Sequence, residues 1–211
     1  MSHFITNDSF AQIIPPFYND IIAFKKNDQV VRPESGSILF VGSSSFTMWK
    51  DVQNDFPAYK ILNRGFGGSG LTDLIRYAPD IIYPYQPKQV VIYCGENDFV
   101  SSPNANADTV LTRFSQLFGM IRTRLPKAHI LFVSIKPSPS RAKYMPEMVR
   151  ANAMIKSFLK KKSKTGYVDV YNKMLLADGS PIPNIFLADK LHMNRSGYEI
   201  WQKAILPHLM K

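Results

Sequence analysis

Cysteine is nearly absent: the single Cys94 in 211 residues excludes an internal disulfide framework and any multi-cysteine metal centre. The four histidines, His3, His129, His192 and His208, show no ligand spacing such as His-Glu-x-x-His. A zinc centre is therefore not expected, and nothing in the chain asks for an organic cofactor. Long apolar runs are missing too, so no integral membrane association is expected. The N-terminal stretch MSHFITNDSFAQIIPPFYND has neither the basic start nor the continuous apolar core of a secretory signal, which points to a cytoplasmic protein. Internal repeats and low-complexity segments are lacking. The proline-rich pieces Pro79–Pro87, Pro137–Pro139 and Pro181–Pro183 are too short for linkers and read as rigid loops.

Acidic residues are outnumbered, 16 against 26 basic, for a formal charge of +10. Such an excess raises the question of nucleic acid, because clustered cations bind phosphates. The one dense run, Lys160, Lys161, Lys162 and Lys164, falls where a helix should end, and cations there suit the negative end of the helix dipole. No nucleic-acid partner is expected, and nothing in the chain sets an oligomeric state.

What is present is an ordinary globular composition, 45% hydrophobic and 20% charged, in a length that fits one layered domain. Residues 1–35 read as a helical lead-in to a domain over 36–211, with Pro15–Pro16 setting up a short helix that ends near Lys26. Short runs rich in Val, Ile, Leu and aromatics predict strands at Ser37–Val41, Tyr59–Leu62, Gln89–Cys94, His129–Ile135 and Tyr167–Val170. Helical spacing predicts helices over Asn106–Leu125, stopped by Pro126, over Pro146–Lys162, and from an Asn194 cap to the C-terminus through Tyr198, Trp201, Ile205 and Leu209. Strands alternating with helices predict an α/β fold, a parallel sheet covered on both faces.

In such sheets ligands bind at the carboxyl ends of the strands. The residues there are Gly42-Ser43-Ser44-Ser45 after the first strand, Asn63-Arg64-Gly65-Phe66-Gly67-Gly68 after the second and Gly95-Glu96-Asn97-Asp98 after the third. Asp189-Lys190-Leu191-His192 precedes the last helix. These four segments, in this order, resemble the SGNH hydrolase superfamily, the GDSL-like lipases and esterases, over most of the chain from Ile38 to about Leu209. The run ILFVGSSSFTMW looks like a subgroup with Gly-Ser-Ser-Ser in place of Gly-Asp-Ser.

The resemblance implies a three-layer α/β/α, flavodoxin-like five-stranded sheet of order 2-1-3-4-5 and a serine esterase. Matching the family's glycine-x-serine spacing onto Gly42 selects Ser44 as nucleophile rather than Ser43 or Ser45, while all three serines could also serve as caps of the following helix. A serine hydroxyl needs an adjacent base, and His192, oriented by Asp189, is the matched one. The implied oxyanion hole is the backbone N–H of Ser44, that of Gly68, five residues after Asn63, and the side-chain amide of Asn97. Asp98 reads as a structural cap and Cys94 as core filling. The substrate is then a small-molecule ester, with an acylated carbohydrate or lipid among the candidates. An acyltransferase using the same serine, or a carbohydrate- or lipid-binding module, stands as the alternative.

Gly65-Phe66-Gly67-Gly68-Ser69-Gly70 also satisfies the dinucleotide pattern Gly-x-Gly-x-x-Gly, but the acidic residue expected about 20 positions on is missing, that region being Pro84–Pro87. Short connections and the lack of an apolar segment able to form a lid favour acetyl-like acyl groups. Against this, Phe46, Trp49, Phe66, Phe99 and the Lys136–Tyr144 loop are candidate pocket linings, each of which could equally pack against the scaffold, and Phe46, Trp49 and Phe99, read as exposed, could form an apolar trough for longer chains without a lid.

Overall fold

The computed structural model describes residues 14–102 and 104–211. His3 and the first part of the expected 1–35 lead-in lie outside them. The elements, in order, are α1 (Tyr18–Val30), β1 (Ile38–Gly42), α2 (Ser44–Thr47), α3 (Val52–Asp55), β2 (Ile61–Gly65), α4 (Leu71–Ile81), β3 (Gln89–Tyr93), α5 (Asp98–Ser101), α6 (Ala107–Arg124), β4 (His129–Val133), α7 (Met145–Lys160), β5 (Thr165–Val168) and α8 (Arg195–Ile205). Every strand pairing is parallel and the order is β2-β1-β3-β4-β5, the α/β arrangement expected.

Side chains alternate across the sheet, as the two-residue period of a strand requires. Leu39, Val41, Val90, Ile92, Ile130 and Phe132 face one core, with α4, α6 and α7 over them. Ile38, Phe40, Val91, Tyr93, Leu131, Val133 and Val168 face the other, under Phe46, Trp49, Phe56, Trp201 and Ile205. Both layers are therefore sealed by apolar burial, and the strand ends are left to carry polar groups.

Several boundaries differ from expectation for local reasons. The helix α1 runs to Val30, past Lys26, because no breaker intervenes before Pro33. Pro79, read as loop, completes the last turn of α4, where only one hydrogen bond is lost and Ala78 and Ile81 are buried. The strand β5 begins at Thr165 and stops at Val168, because the amides of Val170 and Tyr171 turn to the Ser134 hydroxyl, at 2.9 and 3.0 Å. The last helix ends at Ile205 instead of reaching Leu209, since Pro207 supplies no N–H.

Candidate active site

The chain leaves β1 at Gly42 under a tight constraint: a Cβ there would sit 1.9 Å from the Tyr93 carbonyl oxygen of β3, so only glycine fits. The Ser43 amide donates to that same oxygen at 3.1 Å, and the backbone turns at once into α2. Ser43 occupies the N-cap without a side-chain cap bond. Ser43 and Ser45 are buried, whereas Ser44 is half-buried and open to the site. The Tyr198 hydroxyl donates to Ser45 O at 2.9 Å, which anchors the turn to α8.

Asp189 and His192 occupy a tight turn closed by the Phe186–Met193 bridge and by the Leu187 amide, which donates to His192 O at 2.8 Å. Lys190 at its tip takes a left-handed φ of 55°. One carboxylate then serves three donors. Asp189 Oδ1 accepts from the amides of Leu191 and His192, both at 2.9 Å, and Oδ2 lies 2.6 Å from His192 Nδ1. Chiefly the His192 hydrogen bond, with the two amides behind it, pulls the Asp189 carboxyl down to about 2. A carboxylate opposite Nδ1 keeps the proton on that nitrogen and leaves Nε2 free to accept. Ser44 Oγ stands 3.0 Å from Nε2, so a hydrogen-bond chain runs from Ser44 through His192 to Asp189.

Gly68 lies in the turn after β2 and Asn97 in the turn after β3. A Cβ on Gly67 would lie 4.0 Å from the Ser44 Cβ, and the exposed Gly68 has φ 84°, a left-handed conformation suited to glycine. Asn97 Nδ2 donates to Ser69 O at 3.0 Å. A primary amide carries two hydrogens, so one remains for a ligand. Asn63 ties β2 to the serine turn by donating to Phe46 O at 2.7 Å and accepting from the Gly65 amide at 2.9 Å.

Beneath these segments lies a buried polar group that the sequence reading missed. The Tyr93 hydroxyl donates to Glu96 Oε2 at 2.7 Å, and Lys136 Nζ donates to both Glu96 oxygens at 3.0 and 3.2 Å. The side chains of Lys136 and Glu96 are 1% and 6% exposed, so the pair is effectively out of water. In the sequence its only trace is a charge three residues beyond each of two apolar strands, Glu96 after β3 and Lys136 after β4, with nothing to say that the two meet. A second tie, also missed, is Asp55, which accepts both Arg195 guanidinium nitrogens at 2.7 Å and the Trp49 indole at 2.6 Å. Arg195 above all holds its carboxyl below the ordinary range.

Phe46, Trp49, Phe66 and Phe99 do not line an exposed trough; all four are core residues, at most 2% exposed. The short α2 turns Phe46 and Trp49 inward, against Phe40 and Trp201. Lys136, at the start of the other candidate lining, is committed to Glu96. The dinucleotide alternative has its strand, turn and helix, but carboxylates hold the amides that a pyrophosphate would need. Asp98 Oδ2 accepts from Leu71 N and Asp73 Oδ2 from Gly70 N, each at 2.9 Å. Asp98 is a cap, as expected, though of α4 rather than of its own helix, and Arg113 binds its other oxygen at 2.7 Å. Cys94 is buried, and burial pushes its thiol well up, which suits core filling. Among the described residues no helix is long and apolar enough to cross a membrane, and no three His, Cys, Asp or Glu side chains group as metal ligands.

Comparison with known proteins agrees with this fold. No curated protein sequence matches the chain. Solved structures with the same fold include a protein from Streptococcus pneumonia provisionally described as a platelet activating factor, 18% identical with a TM-score of 0.79, over 91% of this chain and 92% of that one. A GDSL-like lipase from Bacteroides thetaiotaomicron is 18% identical with a TM-score of 0.77, over 89% and 96%. An acetylxylan esterase from Geobacillus stearothermophilus is 16% identical with a TM-score of 0.65, over 84% and 95%. The GDSL-like Lipase/Acylhydrolase family model matches residues 37–200, more than three quarters of the sequence, and the chain belongs to that family.

Proposed function

We propose that the chain is a serine esterase that hydrolyses short-acyl carboxylic esters at Ser44. The observation that carries this reading is the hydrogen-bond chain from Ser44 Oγ to His192 Nε2, 3.0 Å, and from His192 Nδ1 to Asp189, 2.6 Å. Ser44 attacks the ester carbonyl as His192 takes its proton, and the oxyanion that forms is met by the amides of Ser44 and Gly68 and by the free N–H of Asn97. His192 then protonates the departing alcohol. Water, deprotonated by the same imidazole, attacks the acyl-serine and releases the carboxylic acid.

The short-acyl preference is supported by the burial of Phe46, Trp49 and Phe99, which removes the apolar trough a long chain would need. The acetylxylan esterase among the similar structures, and an acetyl esterase 15% identical with a TM-score of 0.65, point the same way. A fluorophosphonate followed by peptide mass mapping should place its adduct on Ser44, and Ser44→Ala should abolish both adduct and hydrolysis of acetyl esters. An adduct on Ser43 or Ser45 would overturn the assignment, and no adduct at all would favour a binding module.

A further inference from the structure

The helix α1 starts in an unusual way. Its N-cap is Phe17, with φ 64° and ψ 7°, and no side chain accepts a hydrogen bond there. Asn, Asp, Ser, Thr or Gly would cap this turn more cheaply, and a bulky aromatic residue at positive φ is an outlier. What the conformation achieves is the placement of a ring. Phe17 meets Phe66 edge-on, with centroids 5.3 Å apart at 68°, and the segment is pinned by the Tyr77 hydroxyl, which donates to Pro16 O at 2.7 Å. The ring atoms Cε1 and Cζ lie 3.7 and 3.9 Å from where a Cβ would stand on Gly68. Gly67, the next residue back, is the one that faces the Ser44 Cβ. The partly exposed ring thus stands one residue beyond the backbone that flanks the serine.

Sheet order decides which part of an ester would meet it. Gly68 follows β2, an edge strand, whereas the His192 turn comes from the far side, where Ser140, after β4, donates its amide to Lys190 O at 3.1 Å. On the reading of Ser44 and His192 given above, the alcohol must leave toward Nε2 to receive its proton. The carbonyl oxygen turns to the donors of the oxyanion hole, and the acyl substituent takes the remaining direction, away from the His192 turn and along the β2 side past Gly68 to Phe17. We propose that Phe17 is a specificity-determining residue: its ring closes the acyl side of the site and confines it to acyl groups of few carbons.

The test compares kcat/KM for acetyl, butyryl and octanoyl esters of one aryl alcohol, and for acetates of alcohols of increasing length, in wild type, Phe17→Ala and Phe17→Leu. Removing the ring should raise the octanoyl-to-acetyl ratio about tenfold or more, the gain from burying two or three further methylenes. Phe17→Leu should fall between, and the alcohol series should keep its wild-type order. An unchanged acyl ratio, or a change that follows alcohol length instead, would overturn the proposal. Circular dichroism checks folding; should Phe17→Ala not fold, the acyl ratio of Phe17→Leu decides alone. A wild-type protein without esterase activity would refute the esterase reading itself, whereas an active wild type with an indifferent Phe17→Ala refutes only the wall.

Discussion

Replacing Lys136 with methionine would leave the Glu96 carboxylate almost entirely buried, with only the Tyr93 hydroxyl at 2.7 Å and the Ser138 hydroxyl at 3.4 Å as partners. Breaking a buried ion pair from one side costs about 3–5 kcal/mol, far more than the pair is worth against apolar replacements. For a chain of this length that loss corresponds to a fall in Tm of about 6–20 °C. The informative partner is the double variant Glu96→Gln/Lys136→Met. Its amide oxygen still accepts from Tyr93, so no buried hydroxyl is orphaned, and no charge remains in the core. It should recover most of the lost stability. Urea unfolding followed by circular dichroism measures both, and an unchanged m-value licenses the comparison. A single variant within about 1 kcal/mol of wild type, or a double variant no better than the single, would refute the view that uncompensated charge sets the cost.

Other outcomes follow from the same geometry. Asn97→Ala should lower kcat about 10²–10³-fold with little change in KM, by loss of one oxyanion donor; a folded variant with full kcat removes Asn97 from the mechanism. Asp189 is drawn down to about 2 by His192 and two amides, so its contribution is complete above its unfolded value of about 3.9 and is lost only as pH falls through about 2. The kcat/KM profile between pH 4 and 9 should therefore carry no inflection from this carboxylate, and one that vanished in Asp189→Asn would contradict the assignment. Asp55 is also lowered, chiefly by Arg195, so the Tm difference between wild type and Asp55→Asn should be widest above about pH 4 and close as pH falls further. A gap that widened on acidification would refute this.

The strands and the order of the chemical segments could be read from the chain because both are local. A five-residue run such as Gln89–Tyr93 declares itself by β-branched and aromatic content, and Gly42 declares the serine turn because nothing larger fits. Directions inside short turns could not. Whether Phe46 and Trp49 point inward depends on a four-residue helix whose orientation is fixed by Tyr198 and Trp201, about 150 residues later. The Glu96–Lys136 pair, 40 residues apart, was equally hidden, since only the β3–β4 pairing makes its members neighbours. Phe17 lay furthest from reach, because hydrophobic spacing carries no sign of a left-handed backbone.

The segments that meet at Ser44 come from four different places in the chain, yet each is bound to another by a side chain rather than by sheet hydrogen bonds alone. Asn63 holds the serine turn, Asn97 holds Ser69, Asp98 holds the start of α4, and Tyr198 holds Ser45. Arg195, three residues after His192, is clamped to Asp55 beside Trp49. Such ties fix the donors before any ester arrives. On the proposed mechanism this matters more than closure would: an oxyanion hole lowers a barrier to the extent that its dipoles need not reorient as charge develops. A site in which Asn97 is already held by Ser69 O, the serine turn by Asn63 and His192 by the Asp189 carboxylate needs no lid to assemble it, and a substrate with a small acyl group has little apolar surface for a lid to cover. On that reading an open, rigid site and a preference for short acyl groups are two consequences of one arrangement.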